Sequence, residues 1–243
     1  MKVIAHRGFS GVYPENTMLA FEKAVEAGAD GIELDVHLSK DGEVMIIHDE
    51  LLKRTAGVDG AVSHYTRSEL ERISAGKTKN DEFGFTPIPS LEEYLSFMSE
   101  HRDLVTNIEL KTAPVYYPMI EEKTLALVRK FGLEDTIIYS SFNWLSVLKM
   151  KKLTGKSRFG LLFSGMRLYH QAPLMRDMEL DYFHPDFNDL TDEIVSGFHE
   201  GGIGLNVWTV NEVADIERCR DWNVNGVITN YPDRALTVRS ATL

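Results

Sequence analysis

Glu33-Leu34-Asp35 places two carboxylates one residue apart, and His48-Asp49 begins thirteen residues after Asp35. Between them lies Lys40-Asp41-Gly42-Glu43. Asp-Gly between two apolar runs is a strong hairpin signal, because a two-residue turn needs positive φ at both central positions. With Asp41 and Gly42 as the loop, Lys40 faces Glu43 and paired positions sum to 83, so Asp35 is expected opposite His48. Alternate residues of a strand share a face, which would put Glu33, Asp35 and His48 together. Unpaired charge is costly in an apolar core. The cluster therefore reads as a metal-assisted active site.

Other chemically capable residues recur at the ends of apolar runs. His6-Arg7-Gly8 closes the first, and Glu109-Leu110-Lys111 closes another. Each has a plain structural alternative when taken singly: a strand-end histidine can be a solvated residue, and a Glu-x-Asp pair can anchor loops. Two histidines, three carboxylates and two cations at neighbouring strand ends are not explained that way.

The elements that must position these residues alternate along the chain. Strands are expected at Val3–His6, Gly31–Val36, Val44–His48, Val105–Leu110, Thr136–Tyr139, Arg158–Phe163, Asp181–His184, Gly204–Trp208 and Gly226–Thr229, several rich in Val, Ile and Leu as strands covered on both faces should be. Helices are expected to begin near Asn16, Ser90, Tyr117, Asn143, His170, Thr191 and Asn211, with Ser90, Thr191 and Asn211 as caps. With Val44–His48 set aside as a hairpin limb, eight strands remain. Repeated β-α units over 243 residues predict a single α/β domain, a (β/α)8 TIM barrel. An open doubly wound sheet is the alternative, but no Gly-x-Gly-x-x-Gly follows the first strand. Residues 50–89, with Gly57, Gly60, Gly76, Gly84, Pro87, Pro89 and one short helix at Ser68–Ser74, read as an insertion after the second strand, over the barrel mouth.

Net charge of −11 argues against nucleic acid as a partner, though a local cation can still bind a phosphate-bearing small molecule. One cysteine, Cys219, excludes an intrachain disulfide and suits a reducing compartment. The Met1 start has no signal-peptide core, and no run is long enough to span a membrane. A complete chain in the cytoplasm, without stable membrane association, is the expectation; the oligomeric state is not legible.

His6-Arg7-Gly8, Pro14-Glu15-Asn16-Thr17, Glu33-x-Asp35, Lys40-Asp41-Gly42, His48-Asp49, Glu109-x-Lys111 and Trp208-Thr209-Val210-Asn211 together resemble the glycerophosphodiester phosphodiesterase family, over essentially the whole chain. The first five elements are specific in order and spacing; the later ones are weak alone. The resemblance implies a TIM barrel and a divalent cation, Mg²⁺ or Ca²⁺. It implies Glu33, Asp35 and Glu109 as metal ligands, His6 and His48 as general acid and base, and Arg7 and Lys111 as phosphate-binding residues. The expected reaction releases sn-glycerol 3-phosphate and an alcohol. It also leaves open which histidine is the acid, and whether attack comes from a glycerol hydroxyl through a cyclic phosphate or from water.

The residue types agree with that chemistry. Three carboxylates make a hard oxygen site suited to Mg²⁺, Ca²⁺ or Mn²⁺. Arg7 offers a planar fork and Lys111 a point charge for phosphate, and two histidines can divide the proton transfers. Trp208 either packs against substrate or fills the core, and Phe142 could line the same wall. His184 is the next histidine to suspect of touching substrate, and His37 is expected at the cleft entry. Glu15 and Asn16 are expected as structural support, with Asn16 capping the first helix. His64, His101, His170 and His199 are expected at the surface, and the Asn230-Tyr231-Pro232-Asp233 turn shows no glycine-rich phosphate site. A lysophospholipase D or sphingomyelinase D-like activity is the alternative within enzymes, and a catalytically silent binding barrel the alternative outside them.

Overall fold

The fold is that of a computed structural model, in which residues 1–113, 115–165 and 171–241 are described. Nine strands form: β1 Lys2–His6, β2 Gly31–Leu38, β3 Val44–Ile46, β4 Val105–Leu110, β5 Ile137–Ser141, β6 Arg158–Phe163, β7 Tyr182–Pro185, β8 Gly204–Val207 and β9 Gly226–Thr229. Eight are parallel neighbours in the order β1-β9-β8-β7-β6-β5-β4-β2, and pairing of β1 with β2 closes the ring. The expected closed barrel is what forms, with β3 as an antiparallel limb on β2.

The hairpin register differs from the expected one. Val36 pairs with Ile46, His37 with Met45 and Leu38 with Val44, so paired positions sum to 82. Ser39 then faces Glu43, its amide donating to the Glu43 carbonyl at 2.9 Å, and Lys40-Asp41-Gly42 is a three-residue loop. Gly42 takes φ +78°, as the last residue of such a loop does. Asp35 consequently lies opposite Ile47, whose amide donates to the Asp35 carbonyl at 3.1 Å. The ladder does not pair Asp35 with His48; β3 ends at Ile46 and the chain bends from His48 onward.

Alternation along each strand sorts the side chains into two layers. Val3, Ala5, Ile32, Leu34, Val36, Ile108, Leu110, Tyr139, Leu161, Phe183, Leu205 and Val207 join the main apolar cluster beneath the helices. The opposite parity fills the barrel: Ile4, Glu33, Asp35, Asn107, Glu109, Ser140, Gly160, His184, Asn206 and Ile228. Register levels His6 with Glu33 and Glu33 with Asn107, and sets Asp35 level with Glu109. Polar residues on three adjacent strands thus project inward near the C-terminal rim.

Helices Met18–Glu26, Leu91–Met98, Ile120–Phe131, Trp144–Leu153, Gln171–Asp177, Asp192–Glu200, Val213–Asp221 and Pro232–Ser240 surround the barrel. Ser90 and Thr191 cap as expected, accepting from the amides of Glu93 and Ile194. Asn16 and Asn211 do not: Thr17 caps the first helix, and the helix after β8 starts at Val213 with Glu212 as an N-cap that makes no side-chain bond. Asn211 Oδ1 instead accepts from the Asn230 amide at 2.9 Å. The start near His170 lies outside the described residues, and Pro232–Ser240 was not foreseen. In the 50–89 segment the helix is Arg67–Leu70, shorter than expected, beside Lys53–Ala56, and Leu52, Val62, Leu70, Ala75 and Ile88 form a second small apolar cluster with Met45 and Ile47. No helix among the described residues is long and apolar enough to cross a membrane.

Candidate active site

Glu33, Asp35 and Glu109 converge with one carboxylate oxygen each inside a 4.8 Å group, all three buried. Their charges are partly matched by two cations. Lys111 Nζ lies 2.6 Å from Glu109 Oε1 and 3.0 Å from Asp35 Oδ1, and Arg7 Nε lies 3.4 Å from Asp35 Oδ2. Arg7 sits at φ +55°, in the left-handed region, and its amide donates to Glu33 Oε2 at 3.0 Å.

The remaining imbalance appears in the proton affinities. Burial, then the neighbouring charges of Asp35 and Glu109, push Glu33 well above the ordinary carboxylate range. Burial and the Asp35 charge push Glu109 up to about 7 despite its Lys111 contact. Burial would raise Asp35 too, but Lys111 and Arg7 outweigh it and hold this carboxylate below its usual value. Asp35 Oδ1 is buried with no hydrogen-bond donor among the described residues, although Lys111 Nζ lies 3.0 Å away. An orphaned buried oxygen among three carboxylates that two cations cannot fully neutralise fits a divalent cation with oxygen ligands.

The two histidines share a cavity of about 70 Å³ with Arg7, Glu33, Asn107, Glu109, Lys111, Phe142 and Trp208. His6 Nδ1 is 2.6 Å from Asn230 Oδ1, and its Nε2 is 3.8 Å from Glu33 Oε2. His48 Nδ1 is 2.6 Å from Asp49 Oδ1. Each ring donates from Nδ1 to an oxygen, which leaves Nε2 as its unprotonated nitrogen in the neutral form. Burial lowers both, His6 to about 3 with Arg7 adding to the effect, so both are neutral at pH 7.

Further expectations meet mixed outcomes. Phe142 and Trp208 form one wall, edge to face at 5.7 Å. Trp208 Nε1 donates to the His184 carbonyl at 2.8 Å, leaving the ring face to the cavity. The His184 side chain does not line the histidine cavity: it is 0% exposed inside the barrel, paired with Asn206 at 3.1 Å and packed against Gly160. His37 borders a second, larger cavity beside His48, Glu109 and Lys111. It is buried, bonding Tyr117 Oη through Nδ1 at 2.9 Å and the His48 carbonyl through Nε2 at 3.0 Å, so it holds the His48 backbone. Asn16 is not a cap but donates to Asp35 Oδ2 at 2.8 Å, and Glu15 accepts from Arg7 Nη1 at 2.9 Å. His64 and His199 are exposed and His101 is half-buried, while His170 lies outside the described residues. Asn230 and Asp49, which hold the two rings, were not singled out; only Asp49 carried a signal, adjacency to His48.

The family model for glycerophosphoryl diester phosphodiesterases matches residues 6–234. The chain belongs to that family. It is 40% identical to a glycerophosphodiester phosphodiesterase of Bacillus altitudinis, over 98% of each chain, and 38% identical to one of Caldanaerobacter subterraneus subsp. tengcongensis, over 97% of this chain and 96% of that one. Among solved structures, an Oleispira antarctica phosphodiesterase in complex with the product sn-glycerol-3-phosphate superposes with a TM-score of 0.86 at 27% identity, covering 99% of this chain and 97% of that one. The glycerophosphoryl diester phosphodiesterase family, the TIM barrel and the enzyme class expected from the motifs all stand.

Proposed function

We propose that the protein hydrolyses glycerophosphodiesters to sn-glycerol 3-phosphate and an alcohol, with His6 and His48 as the general acid–base pair. One observation carries the reading: two Nδ1-anchored imidazoles open onto the same cavity as Glu33 and Glu109 of the buried three-carboxylate cluster. The relative from Oleispira antarctica, captured with sn-glycerol-3-phosphate, supports the product. Glu33, Asp35 and Glu109 would hold Mg²⁺ or Ca²⁺, which supplies charge neutralisation at a phosphodiester oxygen when bound.

Arg7 and Lys111 line the cavity as the groups that take phosphate oxygens. Neutral His6 and His48 are ready to accept a proton from the nucleophile, either water or a glycerol hydroxyl whose attack closes a cyclic phosphate that water then opens. The partner that protonates the leaving alkoxide gains proton affinity from the anionic diester bound beside it. A second cavity, about 420 Å³ and bordered by His48, Glu109, Lys111, Phe142, Glu50 and Leu51, opens from the same residues. We assign it to the variable alcohol, and the small cavity to the reacting glycerophosphate.

A lipid-bearing diester is the second reading, favoured by the exposed Leu51 and Phe142 beside that larger cavity and by Tyr116, 82% exposed in the loop after β4. The deciding experiment measures glycerol 3-phosphate release from glycerophosphocholine with Mg²⁺, with Ca²⁺ and after EDTA, then repeats it with lysophosphatidylcholine. Metal-dependent release from the soluble diester supports the first reading. Turnover of the lysolipid alone moves the assignment to lipids, and no turnover on either, extended to other head groups, returns it to a binding barrel.

A further inference from the structure

Arg54 belongs to the 50–89 segment, in the four-residue helix Lys53–Ala56, outside the barrel proper. Its guanidinium engages two carboxylates at once. Nη1 and Nη2 donate to Glu15 Oε2 and Oε1 at 2.7 and 2.8 Å. Nε and Nη2 donate to Asp49 Oδ2 and Oδ1 at 2.5 and 3.1 Å. Every donor nitrogen is in use. Each carboxylate passes the restraint inward, Glu15 to Arg7 Nη1 at 2.9 Å and Asp49 to His48 Nδ1 at 2.6 Å. Asp49 is thereby held down to about 2 against the effect of its own burial, and stays an anion for the imidazole to donate to.

We propose that Arg54 is a positioning residue that fixes Arg7 and His48 together through one guanidinium, making the inserted segment part of the active site. The proposal rests on the assignment of Arg7 to phosphate and His48 to proton transfer. Only a planar fork can serve both carboxylates with paired bonds; an ammonium offers the charge without that geometry. The anchorage of Arg54 is firm, since Leu52 beside it is fully buried in the segment's own apolar cluster and donates its amide to the Gly60 carbonyl at 3.0 Å. A surface ion pair that merely tied the loop down would need neither the second carboxylate nor the two inward bonds.

The test compares Arg54→Ala and Arg54→Lys with the unaltered enzyme on glycerophosphocholine, at saturating divalent cation. Both should lose roughly 10-fold or more in kcat/KM, the usual scale for removing a hydrogen-bonded support of a site residue. Guanidinium ion added to Arg54→Ala should restore part of the rate and do nothing for Arg54→Lys. In a His48→Ala background, Arg54→Ala should still raise KM, through Arg7, but should lower kcat no further. An activity-independent readout is the ¹⁵N NMR signal of His48 Nδ1–H, sharp in the unaltered protein and lost by exchange in Arg54→Ala. Equal kinetics for Arg54→Ala and the parent, full function of Arg54→Lys, or an additive kcat loss in the His48→Ala background would each overturn the proposal. If Arg54→Ala does not fold, Asp49→Asn with Glu15→Gln interrupts both arms and is read by the same kinetics. Should the parent turn over no diester while the NMR signal still depends on Arg54, the functional assignment fails and the positioning network stands.

Discussion

Removing the Glu109 charge should stabilise the metal-free protein above neutral pH while impairing metal binding. Glu109 is only 7% exposed, its proton affinity is pushed from 4.5 up to about 7 by burial and Asp35, and Lys111 is shared with Asp35. Between those two values the folded protein holds a proton that the unfolded chain has released. Stability tied to this group is therefore present below pH 4.5 and lost as pH rises to about 7. The shift corresponds to about 3 kcal/mol. For a chain of this size that is about 6–12 °C in melting temperature. Glu33, raised by the same neighbours, acts in the same direction. In EDTA the melting temperature of Glu109→Gln should exceed the parent's at pH 8 by more than at pH 5, a comparison in which the buried histidines His6, His37 and His184, whose lowered proton affinities act in the opposite direction, cancel. Saturating Mg²⁺ or Ca²⁺ should recover about 2–3 kcal/mol in the parent at 100 times the Kd, and less in Glu109→Gln. Thermal unfolding by circular dichroism, with and without EDTA, reads all of this. A Glu109→Gln protein that melts below the parent at pH 8 without metal would show that the Glu109–Lys111 pair outweighs the carboxylate repulsion, and the reasoning would be refuted.

His6→Ala and His48→Ala should each lower kcat by roughly 10²-fold or more while leaving the far-ultraviolet spectrum unchanged; a folded variant with normal turnover removes that histidine from the mechanism. Gly160→Ala should cost about 1–3 kcal/mol in urea unfolding by overpacking the barrel, because the added Cβ would lie 2.5 Å from His184 Nε2. An unchanged midpoint would mean that the His184 ring can shift within the barrel.

The alternation of apolar runs and amphipathic stretches, counted as eight strands with no Gly-x-Gly-x-x-Gly after the first, was enough to prefer the closed barrel over the open doubly wound sheet. The convergence of His6, Arg7, Glu33, Asp35, His48, Glu109 and Lys111 was also legible, because residue types that apolar cores reject recurred at successive strand ends. The hairpin was half right. Asp-Gly marks a turn, but whether the loop has two residues or three depends on which ladder buries Val36 and Ile46, and a one-residue change moved the partner of Asp35 from His48 to Ile47. His48 reaches the site because the chain bends after β3 and because His37 holds its carbonyl. Helix capping by Asn16 was a sound local choice that lost to a buried carboxylate needing a donor. Asn230 and Arg54 were beyond local reading for the same physical reason. Their oxygens and nitrogens are ordinary in sequence, and acquire a role only when ring closure sets β9 beside β1 and the inserted segment is laid over the loop carrying Glu15. The sequence alone determined which chemistry was available; tertiary contacts decided which atoms hold it in place.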